Sequence, residues 1–250
     1  MDPLTNETYW NQKWHDVSTS ATGWIRRLFR GRTYIDSCIH KIFLTILPQG
    51  PDYKLIEVGC GGGKWIPYFC QEFGYCVTGI DFSTEGMLLA QKNADLANVK
   101  ATFILANIFD SDLKEKYDIV FSDGFIEHFR DLGATLSKIA DLVNPGGLLI
   151  TTVPNLTGFH KKLLCWLRKD QEIFESHLAV TKNQLVECYE TLGLQEIKFF
   201  PIGSIVPKVI VMSRLLRRFL DSVLYFLSFL KIGLEGENIS SNYLIIGRKP

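Results

Sequence analysis

Apolar positions along this chain fall into short runs separated by spaced stripes, and the two patterns predict strands and helices respectively. Runs near 54–59, 75–80, 100–105, 117–122 and 147–153 have the length and apolar content of strands buried on both faces. Stretches near 63–73, 84–96, 112–115 and 132–143 lie between them with helical character. Ahead of these, Thr8–Leu47 reads as helical, with Trp10, Trp14, Trp24, Ile25 and Phe29 as apolar anchors, until Pro48-Gln49-Gly50-Pro51 ends it. The alternation predicts an α/β fold, a doubly wound Rossmann-like sheet with helices on both faces. After Pro154-Asn155 the rhythm changes. Thr157–Phe174 is basic, apolar and helical, Lys182–Leu192 is a helix capped by Gly193, and strands follow near 195–200 and 242–248.

The chemistry begins where the first run ends. Leu55-Ile56-Glu57-Val58-Gly59-Cys60-Gly61-Gly62-Gly63 is an apolar strand, an acid, and a G-x-G-x-G turn opening toward a helix. Glycines there let the backbone turn sharply and approach a ligand closely. The next run, Cys76-Val77-Thr78-Gly79-Ile80, ends in Asp81, which sets a carboxylate at a strand tip where ribose hydroxyls would lie. Together these describe a nucleoside-cofactor site. A dinucleotide fold wants G-x-G-x-x-G, and Lys64 occupies its third glycine position. That weakens a nicotinamide-dependent oxidoreductase reading without removing it.

Composition narrows the partners. The 250 residues are 46% hydrophobic and 22% charged with zero formal net charge, which gives no general attraction to nucleic acid. Six cysteines, Cys38, Cys60, Cys70, Cys76, Cys165 and Cys188, form no C-x-x-C pair and no zinc spacing with histidines. They read as reduced core residues, and with no signal-peptide pattern at the start the expected location is cytoplasmic. No metal is expected, since neither the acids nor an H-E-x-x-H spacing forms a ligand set.

Three motifs in order carry a family resemblance. The glycine turn preceded by Glu57, the run Asp118-Ile119-Val120-Phe121-Ser122-Asp123-Gly124-Phe125-Ile126-Glu127-His128-Phe129, and the turn Asn144-Pro145-Gly146-Gly147 resemble class I S-adenosylmethionine-dependent methyltransferases. The resemblance implies a seven-stranded sheet whose last strand inserts antiparallel beside the fifth. It implies a single domain, with an N-terminal helical cap over 1–48, a cofactor-binding core over 52–155, a substrate lid with insertions over 156–240 and a final strand over 241–250. It implies S-adenosylmethionine as cofactor, with Gly59, Cys60, Gly61 and Gly63 along the methionyl part and Glu57 orienting that loop and the cofactor amine. Asp81 would accept from both ribose hydroxyls, Phe82 would flank the adenine, and Asn107 with Ile108 would meet its amino edge. Asp123 and Gly124 would lie near the sulfonium.

His128 is the expected catalytic base, because an imidazole titrates near neutrality and follows the fourth strand; His177 is an alternative. The segment after the fifth strand is similar to small-molecule, glycan and ubiquinone-type O-methyltransferases, implying a hydroxyl on a small-molecule, glycan or lipid-linked acceptor. A non-catalytic cofactor-binding protein is the remaining alternative. Basic, apolar segments over 157–170 and 213–232 suggest peripheral membrane contact. The uncharged part of the second, Ser222 to Leu230, is far short of the roughly 20 residues a span requires.

Overall fold

Seven strands share one sheet: β1 Lys54–Val58, β2 Cys76–Asp81, β3 Thr102–Leu105, β4 Tyr117–Asp123, β5 Val143–Pro154, β6 Gln195–Ile202 and β7 Asn242–Arg248. The computed structural model describes residues 2–19, 34–166, 173–203, 223, 236–237 and 240–250. Strand order is β3-β2-β1-β4-β5-β7-β6. β1 to β5 pair in parallel, β7 runs antiparallel between β5 and β6, and six strands therefore share one direction. This is the Rossmann-like arrangement expected from the motifs. The strand order reverses between β1 and β4, and a crevice opens there at the carboxyl ends.

Alternate residues of the central strands feed two cores, as the two-residue period of a strand requires. Leu55, Phe121 and Ile150 point into one core, with Phe43 and Phe69. Ile56, Val120 and Leu149 point into the other, with Leu136, Ile139 and Tyr189. The helices supplying these partners are α2 Tyr34–Ile46, α3 Ile66–Phe73, α5 Leu132–Ala140 and α7 Lys182–Thr191. α1 Glu7–Thr19 lies instead against α4 Thr84–Leu96. Asn11 Oδ1 accepts hydrogen bonds from the Ser83 hydroxyl at 2.8 Å and the Glu85 N–H at 3.3 Å. α6 Gly158–Trp166 follows β5.

Several boundaries differ from the sequence reading, each for a local reason. α3 starts at Ile66 because Gly61 and Gly63 hold φ of +47° and +65°, a left-handed conformation that a helix cannot include. No helix forms over 112–115; four residues cannot offset the cost of helix nucleation, and the segment has no regular structure. There Glu115 pairs with Lys54 at 2.8 Å and Leu113 packs on the second core. The turn at Asn144–Gly147 lies inside β5 as a bulge opposite Asp118, so β5 begins earlier than expected. Residues 20–33, within the first helical stretch, lie outside the described residues, as does 213–232 apart from Val223. No helix among the described residues is long and apolar enough to cross a membrane.

Candidate active site

A cavity of about 820 Å³ opens at the carboxyl ends of β1, β2 and β4. Its floor comes from the glycine turn. Gly59 and Cys60 line it, with the Cys60 thiol turned back into the core and pushed up in pKa by burial. A Cβ on Gly59 would stand 2.3 Å from the Phe125 ring, so only glycine admits that ring at the cavity wall. Gly61 and Gly63, expected among the cofactor contacts, do not line the cavity. A Cβ on Gly61 would meet Trp14 at 2.1 Å, and one on Gly63 would meet Ala90 at 2.7 Å. These two glycines make room for helices α1 and α4.

Asp81 stands at the tip of β2, where the sequence placed it. Its Oδ2 accepts the Gly61 N–H at 2.8 Å and its Oδ1 the Ser83 N–H at 2.8 Å. Burial pushes its pKa up while these backbone donors oppose that. A carboxylate offers about four lone-pair positions. The two bonds leave acceptor capacity on each oxygen, and Asp81 lines the cavity. Phe82, Asn107 and Ile108 line the same end. Asn107 is partly committed to its own turn, donating to Asp110 Oδ2 at 2.7 Å and accepting the Phe109 N–H at 3.2 Å.

The middle of the cavity holds two more acids. Glu57 is fully buried, and its Oε2 has no hydrogen-bond partner among the described residues. Burial and then the nearby Asp123 raise its pKa well above the carboxylate range, with Lys64 opposing. Asp123 is by contrast well held. It accepts from the Trp65 indole N–H at 2.6 Å and from the Thr152 hydroxyl, with Lys64 at 3.9 Å. Burial lowers Lys64, but Asp123 and Asp36 outweigh it and keep that ammonium charged. Gly124 follows with φ of +70°, which turns the chain at the cavity wall.

The far end gathers Glu127, His128 and His177. The His128 ring lies 4.4 Å from His177 and 4.9 Å from Trp10, centroid to centroid. Its Nδ1 is 2.5 Å from the Ser176 carbonyl oxygen, and the Gly124 carbonyl also acts on the ring. Burial, with the neighbouring His177, pulls its pKa down to about 3. The Ser176 carbonyl thus engages Nδ1, and burial keeps the ring neutral at physiological pH. Glu127 is the opposite case. It is 1% exposed, its Oε2 has no partner among the described residues, and burial pushes its pKa up to about 8. Donor atoms of Glu127, His128 and His177 lie within 4.8 Å of one another, close enough for a metal ion. The Lys13 charge acting on all three opposes a cation there.

The roof was not legible from motifs. α1 supplies Trp10, Lys13 and Trp14, all lining the cavity. The four-residue spacing of the two tryptophans is the available signal, since it sets both on one helix face.

Residues 25–197 match the methyltransferase domain family. The chain belongs to that family. This methyltransferase is 29% identical over 152 residues to a ubiquinone biosynthesis O-methyltransferase of Nitrobacter winogradskyi, covering 56% of each chain. It is 31% identical over 105 residues to a protein of the same name from Rhodopseudomonas palustris TIE-1, covering 41% of this chain and 40% of the relative. It thus spans about half the length of the curated relatives it matches. Its fold is similar to that of a Haemonchus contortus phosphoethanolamine N-methyltransferase in complex with phosphomonomethylethanolamine and S-adenosylhomocysteine. The TM-score is 0.61 at 17% identity, over 96% of this chain and 60% of that one. A SAM-dependent methyltransferase from Archaeoglobus fulgidus gives a TM-score of 0.59 at 18% identity, over 92% and 100% of the two chains.

Proposed function

We propose that this methyltransferase binds S-adenosylmethionine in the 820 Å³ cavity and methylates a hydroxyl of a small-molecule, glycan or lipid-linked acceptor. The observation that carries the cofactor half is Asp81. Its carboxylate is oriented by Gly61 and Ser83, retains acceptor capacity, and faces the cavity beside the glycine turn. The orphan Oε2 of Glu57 fits a cofactor carrying an ammonium, which would complete its hydrogen bonding. Phe82 would flank the base and Asn107 Oδ1 has a lone pair left for an amino edge. A nicotinamide reading is weaker, because this family, the antiparallel β7 and Lys64 all depart from dinucleotide-binding units. The choice of oxygen as the methylated atom draws on the names of the ubiquinone-biosynthesis relatives.

When bound, S-adenosylmethionine supplies an electrophilic methyl group on a positively charged sulfur. The chain's own part is positioning, proton handling and exclusion of water. Asp81 and the glycine turn fix the donor, so that much of the acceleration comes from holding the reactants at near-attack distance. Trp10 and Trp14 roof the cavity from the N-terminal cap over 1–48, and His177 brings the segment read as a substrate lid, 156–240, to the far end. In its ionised form, a fraction that grows as the pH rises toward 8, Glu127 takes the acceptor's proton at its unsatisfied oxygen. His128 holds the 3₁₀ turn Ile126–His128 to the segment at Ser176, keeping Glu127 in place.

Calorimetry with S-adenosylhomocysteine and NAD tests the cofactor half, with saturable uptake of the first and none of the second expected. Uptake of NAD alone would overturn it.

Peripheral membrane contact through 157–170 and 213–232 is part of the proposal. On α6, Phe159 is 43% and Trp166 78% exposed beside Lys161 and Lys162, an apolar and cationic mixture suited to an anionic lipid surface. Failure to sediment with anionic vesicles at low salt would remove it.

A further inference from the structure

Lys13 stands at the acceptor end of the cavity, exposed on α1, and Glu127 is the charge that acts on it. Its Nζ lies 4.2 Å from the Trp10 ring centroid, over the indole face, and the residue lines the cavity. Among the described residues it has no carboxylate within ion-pair distance. Glu127, His128 and His177 all feel its charge. Of the three only Glu127 opposes that charge, and it does not reach ion-pair distance. Burial keeps Glu127 largely protonated near neutral pH, with a pKa of about 8, and both imidazoles are held neutral by burial and by their neighbours. Glu7, the other α1 charge at the cavity, stands six residues earlier, about 9 Å along the helix. At the opposite end Asp123 is held by Trp65, Thr152 and Lys64, and Asp81 in part by backbone N–H groups, while Glu57 Oε2 is open.

Lys13 is exposed on α1, yet its surroundings still lower its pKa, so the ammonium has lost a part of its hydration, which costs free energy unless something replaces it. The Trp10 face returns a part of it through cation–π attraction, roughly 0.5–1 kcal/mol at an open site. An oxyanion would return more, and would sit between aromatic walls formed by Trp10, Phe125 and Phe129. An acceptor amine would meet like charge at the same place.

From this juxtaposition we propose that the methyl acceptor carries an oxyanion, carboxylate or phosphate, which Lys13 binds above Trp10 while the hydroxyl points toward Glu127. The proposal rests on the methyltransferase reading and names the substrate class for that cavity. No bond changes at Lys13; its part is recognition.

The test uses the full chain and four isosteric probes: benzoate, phenyl phosphate, benzyl alcohol and benzylammonium. Each is titrated by calorimetry with and without saturating S-adenosylhomocysteine, so that failure of the cofactor reading is seen separately from failure of this one. Benzoate or phenyl phosphate should bind at least about ten-fold more tightly than benzyl alcohol, the scale of one charge-assisted hydrogen bond. The stronger of the two identifies which oxyanion is meant. Benzylammonium should not bind. Lys13→Met should abolish the preference, Lys13→Arg should keep it, and both should bind S-adenosylhomocysteine as the parent does. The proposal is overturned if the alcohol or the ammonium binds as well as the anions, if Lys13→Met keeps the preference, or if none of the four probes binds.

Discussion

The indole of Trp14 rests on the bare Cα of Gly61, where an added Cβ would stand 2.1 Å from the ring. Helix α1 is thereby locked onto the glycine turn that also receives Asp81, and the roof and floor of the cavity become one packing unit. Gly61→Ala should expel Trp14 and strain a residue at φ of +47°, lowering S-adenosylhomocysteine affinity by at least about ten-fold. Trp14→Ala should cost about 1–3 kcal/mol of stability, below the usual range for a fully buried aromatic because Trp14 is half-buried. Calorimetry and denaturant unfolding read the two effects. Unchanged affinity in Gly61→Ala would separate α1 from the cofactor end.

Asp81 has two duties, so the substitution must be chosen with care. Alanine would orphan the N–H groups of Gly61 and Ser83, which costs stability whatever the ligand does. Asp81→Asn keeps one acceptor oxygen and should preserve most of the fold. It should nevertheless weaken S-adenosylhomocysteine by about ten-fold or more, because the charged acceptor for the ribose is gone. Binding equal to the parent's would remove Asp81 from the cofactor site.

Glu127 makes stability depend on pH with a definite sign. Its folded pKa, about 8, lies above its ordinary 4.5, with burial as the main cause. The folded state favours the protonated form, so this contribution is fully present below about pH 4.5 and is lost as the pH rises toward 8. The slope is ~1.4 kcal/mol per pH unit inside that window. Glu127→Gln, a neutral isostere, should gain stability over the parent increasingly from pH 5 to pH 8.5 in urea unfolding. A constant difference across that range would mean that Glu127 is not buried as described.

His128 gives the reverse dependence. Its pKa is lowered from 6.5 to about 3 by burial and then by His177. Protons therefore favour the unfolded chain, and stability falls as the pH drops from 6.5 toward 3. His128→Gln should flatten that acid limb relative to the parent. Turnover in this variant should fall less than in Glu127→Gln, since His128 braces and Glu127 accepts the proton. The opposite ranking would return the base to His128.

A control lies at a helix cap that does not line the cavity. Thr181 caps α7 in a reciprocal box with Gln184, so Thr181→Ala should cost about 1 kcal/mol and leave S-adenosylhomocysteine affinity unchanged.

The apolar runs alone marked the five parallel strands, four of them largely buried and the fifth, β3, a half-exposed edge. Glycines at 59, 61 and 63 and the acid at 81 were equally legible, since a left-handed turn and a strand-tip carboxylate leave marks on residue type. Which of those glycines lines the cavity was not. Gly59 admits Phe125 at the cavity wall, while Gly61 and Gly63 yield to Trp14 and Ala90, and only packing between distant segments separates the two uses. The same holds for His128 and Glu127, adjacent in the chain and reversed in proton affinity by burial. Residue type sets where a group titrates in water; the tertiary surroundings decide whether its charge survives.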